Sequence, residues 1–223
     1  MKPLVALVHM PKAGGTTLTD VMRSVYGERL LIAHPLRGWP QQWPAEFLAE
    51  VSAHKDFYQA FSGHAAYGIH EVFGRETVYL SSVRDPLERF ESYYNFVQHW
   101  KTHRYYQVAH GMSIGEFFRF LRAQDDIELF NLQCLMLCGQ KDFQLAKEWV
   151  HSRYLAIAPL TYFSESIALI ARALEWGNVT VSRLNQTPHK STVADLSAAD
   201  FKALADGNAA DRDLVRYCED LVR

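Results

Sequence analysis

Three short groups of residues in this chain carry side chains suited to gripping and moving a strongly anionic group. The first is Lys12-Ala13-Gly14-Gly15-Thr16-Thr17, just after an apolar run. A glycine pair lets the backbone bend tightly and approach an anion. The amides that open a helix point at such an anion, and the helix dipole favours negative charge there. The threonine hydroxyls add donors, and Lys12, entering from the strand side, can reach a bridging or terminal oxygen. A nucleotide-hydrolysing phosphate loop reads G-x-x-x-x-G-K-[ST], with lysine just before the hydroxyl residue. Here the lysine precedes the glycines. The same residues would also make a plain strand-to-helix turn with a capping threonine and a solvated lysine.

The second group is Arg84 with Ser92. Arg84 stands where an apolar strand, "ETVYLSSV", ends, and Ser92 lies about two helical turns further on. An arginine fork and a hydroxyl can hold one phosphate between them. Taken alone, Arg84 could instead pair with Asp85 or Glu88, with Ser92 on a helix surface. The third group is "GHAAYGIHE", with His64, His70 and Glu71. Histidine is the usual general base near neutral pH. His64 follows Gly63 at the end of an expected strand, whereas His70 and Glu71 fall in the next turn or helix. The three also suggest a metal site, but no supporting cysteine or carboxylate cluster accompanies them, so no metal is expected.

The elements that must position these groups alternate. Residues 3–9 form a short continuous apolar run, the pattern of a buried parallel strand. Thr16 or Thr17 opens a helix that Gly27 stops. Further strands are expected over 30–33, 57–62, 76–83, 155–158 and 179–181. Helices are expected over 44–54, from Pro86 to about Trp100 with Asp85 as cap, and over 165–176. A mostly helical stretch covers about 103–150. It contains a Ser113/Glu116 capping box and a helix ending at Gly139. Strands alternating with helices give an α/β fold with a mainly parallel sheet. In such sheets ligands sit beyond the carboxyl ends of strands, where all three groups fall.

The whole chain sets wider bounds. Its 223 residues suit one domain, 1–223, without repeats or a clear linker. The formal charge of -2 argues against a broad basic face for nucleic acid. The three cysteines, Cys134, Cys138 and Cys218, are too few and too odd for a disulfide framework. No apolar run reaches membrane-spanning length, and the apolar start is too short for a signal peptide, so a cytoplasmic protein with no membrane partner is expected.

Together, "PKAGGTTL" and "VRDPLERFESYY" resemble the 5′-phosphosulfate loop and the 3′-phosphate motif of PAPS-dependent sulfotransferases. The likeness is greatest to the carbohydrate branch, the heparan and uronyl 2-O-sulfotransferases. Members of that branch show a histidine before the loop, here His9, and an N-x-x-[x]-C-G-like segment, here "NLQCLMLCG". The resemblance implies a P-loop-like three-layer fold. It implies PAPS as co-substrate, PAP as product and a hydroxyl-bearing acceptor, a carbohydrate by likeness. It assigns Lys12, Ala13, Gly14, Gly15, Thr16 and Thr17 to the 5′ end of the nucleotide, and Arg84 and Ser92 to the 3′-phosphate. His64 matches the base, and Lys12 would stabilise the leaving phosphate. Lys190 and Ser191 would close over the nucleotide; a solvated loop is the other reading. The membrane anchor and stem of the Golgi members have no counterpart in this sequence, so a glycosaminoglycan acceptor is not implied. Two other functions fit parts of the pattern: an ATP- or GTP-dependent kinase using Asp85, and a nucleotide-binding module that needs no base. "HWKTHRYYQ" could bind a sugar or acidic acceptor or be an exposed helix end, and Trp39 and Trp43 could stack on a sugar ring or merely pack.

Overall fold

The computed structural model describes residues 2–35, 42–180 and 191–223. Five parallel strands form one sheet: β1 Leu4–Val8, β2 Leu30–Ile32, β3 Ala60–Gly63, β4 Thr77–Val83 and β5 Tyr154–Pro159, in the order β2-β3-β1-β4-β5. The chain steps from β1 to the β2 edge, returns through β3, then crosses β1 to β4. The carboxyl end of β1 therefore has Gly63 on one side and Ser81 on the other.

Strand periodicity divides the core. Leu4, Ala6 and Val8 face a cluster with Phe61, Tyr79, Val83 and Ile157. Helices α2 (Ala45–His54), α3 (Ile69–Phe73), α7 (Leu132–Cys138), α8 (Phe143–Arg153) and α11 (Ala209–Val222) contribute to that cluster. Val5 and Leu7 face the other side, against α1 (Gly15–Tyr26) and α9 (Phe163–Ala173). These are the three layers expected of a sheet buried on both faces. A separate apolar cluster joins α4 (Pro86–His99), α5 (Tyr106–Ala109), α6 (Ile114–Ala123) and α10 (Ala198–Gly207). Its Phe117, Phe118 and Leu121 are fully buried. Side chains of that size contribute about 1.5–3 kcal/mol each on burial.

Several local expectations meet their physical cause. The Asp85 carboxylate caps α4 by accepting from the amides of Leu87 and Glu88. Ser113 and Glu116 form a reciprocal capping box on α6. Gly139 ends α7 in a left-handed conformation. Cys134, Cys138 and Cys218 are buried free thiols. Two expectations need correction. The first helix starts at Gly15, earlier than either threonine, and has no side-chain cap, because Gly14 at φ 89° turns the chain directly into the helix. Val179 and Thr180 belong to no strand, and Val181 lies outside the described residues. Trp176 instead donates its indole N–H to the Tyr26 hydroxyl at 2.9 Å, which ties this segment to the end of α1.

Candidate active site

The phosphate-loop candidate is shaped by close packing around its glycines. A Cβ on Gly15 would lie 2.1 Å from Cδ2 of His9, so only glycine lets the imidazole lie flat against the start of α1. Gly14 is in contact range of Phe163 and Leu160, which follow β5. Ala13 and Thr17 are buried, while Thr16 is exposed. Lys12 itself takes a left-handed backbone conformation, φ 63°, uncommon for a side chain of this size. Its ammonium lies 4.0 Å from the centroid of the Phe96 ring on α4. Burial first, and then the Arg84 guanidinium, push the Lys12 ammonium down to about 8. Among the described residues it has no carboxylate partner.

Arg84 reaches this loop. Its Nη1 donates to the Lys12 carbonyl at 3.4 Å, and its Nε pairs with Glu88 at 3.2 Å. The two motifs therefore meet where the first loop touches the end of β4. The pairing with Glu88 is present as well, on the solvent side, where such ion pairs contribute little. Ser92 is half-buried on α4, one turn before Phe96. Asn95, also on α4, holds both backbone groups of Ser191: its amide donates to the Ser191 carbonyl at 3.0 Å and its Oδ1 accepts from the Ser191 N–H at 3.2 Å. The segment leading out of the polar loop is thus pinned beside Ser92. Lys190 lies outside the described residues, as does Trp39.

The backbone of Arg84 is fixed by a residue far away in sequence. The fully buried Gln133 side chain accepts from the Arg84 N–H at 2.9 Å and donates to the Arg84 carbonyl at 2.9 Å. Gln133 sits at the start of α7, whose first amides are capped by Asp211 of α11: Gln133 N–H at 3.0 Å and Cys134 N–H at 2.8 Å. Burial pushes the Asp211 carboxyl up, and these two amides counter it. Beneath, the Asn131 N–H donates to Asn208 Oδ1 at 2.9 Å, and Asn131 Oδ1 accepts from the Asp211 N–H at 3.1 Å. The segment "NLQCLMLCG" is therefore a positioning device for Arg84. Sequence reading picked out the segment but missed the role of Gln133, because the partner lies on another element. The second arginine of the run, Arg89, is buried instead, with Nη2 donating to the Glu128 carbonyl.

His64 stands at the carboxyl end of β3, on the same edge. Its Nδ1 lies 2.8 Å from the His9 carbonyl. A carbonyl only accepts, so the proton sits on Nδ1 and Nε2 carries the lone pair. The ring is hemmed in by His9 and His34 yet keeps an open edge to solvent, as the wall of a cleft does. Loss of hydration holds its pKa down, to about 4, against the opposing His9 hydrogen bond. His70 is spent elsewhere: Nδ1 meets the Tyr79 hydroxyl at 2.7 Å, within the Tyr67 and Tyr79 packing. Glu71 is exposed. Among the described residues, no group of histidines, cysteines and carboxylates is arranged to hold a metal ion. Arg104 and Tyr105, in the cationic-aromatic segment, both bond the buried Asp126, and Trp43 stacks on Phe47. These residues have structural partners.

A five-strand parallel sheet flanked by helices, with a glycine turn after its first strand and Arg84 reaching that turn from the end of the neighbouring β4, is a P-loop-like fold. The chain belongs to the sulfotransferase family, whose profile matches residues 2–199. No curated protein matches it. No helix among the described residues is long and apolar enough to cross a membrane.

Proposed function

We propose that this sulfotransferase moves the sulfuryl group of PAPS to a hydroxyl acceptor, a carbohydrate being favoured by the likeness of its motifs. One observation carries the reading: Arg84 touches the Lys12 peptide, which brings together the two cations that would serve the two ends of a doubly phosphorylated adenosine. The residues fit that cargo. The 5′ end would lie against the amides of Gly14, Gly15, Thr16 and Thr17, where the helix α1 begins. Arg84 and Ser92 would take the 3′-phosphate, which selects PAPS over ATP.

His64 Nε2 would accept the proton of the attacking hydroxyl as the new O–S bond forms. The old bond from sulfur to the 5′-phosphate oxygen breaks, and that oxygen gains charge. Lys12 would stabilise this charge, which exists only as the bond breaks. The loop amides and two cations supply a positive field without a metal ion. A kinase would need Asp85 for a metal, but its Oδ1 accepts from the Leu87 and Glu88 amides as the cap of α4.

Calorimetry with adenosine 3′,5′-bisphosphate against ADP, without added metal, tests this directly. Clear preference for the 3′,5′-bisphosphate is expected. Preference for ADP, or a requirement for Mg²⁺, would favour the kinase. Binding without turnover, over a broad screen of acceptors, would favour the non-catalytic module.

A further inference from the structure

A third imidazole completes the edge where His9 and His64 meet. The parallel register sets Ile32 beside Ser62 and Val8 beside Gly63. The residues that follow these strands continue the pairing: Ala33 N–H donates to the Ser62 carbonyl at 3.1 Å and His9 N–H to the Gly63 carbonyl at 2.9 Å. Gly63 permits a very close approach, since a Cβ there would lie 2.0 Å from the Ala33 carbonyl oxygen. That approach delivers His34. Its ring stacks on His64 at 4.8 Å between centroids, 24° from parallel, while His9 lies on His64 at 4.3 Å and 50°.

The hydrogen bonds fix the tautomers in sequence. The His64 N–H donates to His34 Nδ1 at 3.1 Å, so His34 holds its lone pair at Nδ1 and its proton at Nε2. His64 donates from its own Nδ1 to the His9 carbonyl. One face of His64 and its own peptide are therefore both braced by His34.

We propose that His34 is a positioning residue for the base: its Nδ1 anchors the His64 peptide and its ring backs the imidazole, so that His64 stays the Nδ1–H tautomer with Nε2 turned to the acceptor. This rests on His64 being the base. When His64 takes the acceptor's proton it becomes an imidazolium beside His9, His34 and Lys12. His34 contributes by remaining neutral, because a protonated Nδ1 could not accept from the His64 peptide. Nothing is consumed, and the proton leaves from His64 to solvent across its open edge.

The test pairs two variants. His34→Phe keeps a stacking ring and loses the acceptor; His34→Asn keeps an acceptor and loses the ring. Displacing a reacting group by a fraction of an ångström costs tenfold or more, so kcat of His34→Phe is expected to fall by about tenfold or more. Affinity for adenosine 3′,5′-bisphosphate should stay within about twofold of wild type, since His34 touches none of the phosphate residues. His34→Asn should recover most of kcat. Nitrogen NMR of the nucleotide-free wild-type protein should show His64 protonated at Nδ1 and His34 at Nε2, and the His64 tautomer should become mixed in His34→Phe. Wild-type kcat with an unchanged His64 tautomer in His34→Phe would overturn the proposal. If that variant fails to fold, the wild-type spectrum decides: His34 protonated at Nδ1 overturns it. His64→Ala separates the two claims. If it retains turnover, the base assignment fails; if it is inactive while His34→Phe is normal, only the role of His34 fails.

Discussion

Lys12 combines three constraints: a left-handed backbone, an ammonium over the Phe96 ring, and Arg84 on its carbonyl. An ammonium this poorly hydrated gains most from charge that appears on a nearby oxygen. Lys12→Ala is therefore expected to lower kcat by about 10²–10³ while PAP affinity changes by less than about tenfold. Equal losses in both would show that Lys12 only binds. The same depressed ammonium sets a pH dependence. As the proposed base, His64 would work when neutral, down to about 4, and Lys12 in its proposed role would work when charged, up to about 8. A plot of kcat/KM against pH should therefore fall on the basic side near 8 and hold on the acid side well below the ordinary histidine range. In the nucleotide complex the phosphates favour the charged lysine, so the basic limb of kcat should move up. An acid limb near the ordinary histidine pKa would contradict the crowding of His64.

At the scale of elements, the site depends on how α7 and α11 hold the end of β4. Gln133→Leu removes both bonds to the Arg84 peptide and leaves a largely buried N–H and carbonyl without partners, each a loss of about 1–3 kcal/mol. The expected result is a lower Tm and a weaker preference for PAP over ADP, since in the proposed complex only the 3′-phosphate would call on Arg84. Calorimetry with both nucleotides would read it, and an unchanged preference would free Arg84 from this clamp. Gly15→Ala should destabilise by about 1–3 kcal/mol, since the His9 ring or the start of α1 must move. These two cases mark what the sequence disclosed. The glycine loop, Arg84 at a strand end and the Asp85 cap were legible because each is a local pattern of a few neighbouring residues. Gln133, Asn95 and His34 were not, because their partners lie on other elements and a side-chain bond to a distant peptide leaves no periodic trace. His34 stands just past the strand expected over 30–33 and belongs to none of the three motifs. The expectation of a strand over 179–181 failed at Val179 and Thr180 because an apolar-polar alternation that short carries no pairing partner with it.

For the molecule as a whole, gathering three imidazoles at one sheet edge has a thermodynamic consequence. Loss of hydration, with repulsion from His64 second, pushes His9 down to about 3; loss of hydration, partly offset by the His9 hydrogen bond, holds His64 at about 4; and burial lowers His34 as well. In the unfolded chain these groups titrate near 6.5. Between those limits the unfolded chain binds more protons than the folded one, so stability falls as pH drops. Asp211 works in the opposite sense: burial raises its carboxyl, so its proton uptake favours the folded state as pH falls. Its window starts from the carboxylate range, and the three histidines dominate near neutrality. His64 keeps an open edge and counts for less than its shift suggests, so His9 leads. Urea unfolding at pH 7 and at pH 5 should differ by on the order of 1–2 kcal/mol, with the protein less stable at pH 5. Equal or greater stability at pH 5 would mean that the imidazoles take up protons as readily in the fold as out of it. The edge would then be too open to keep His64 as a neutral base.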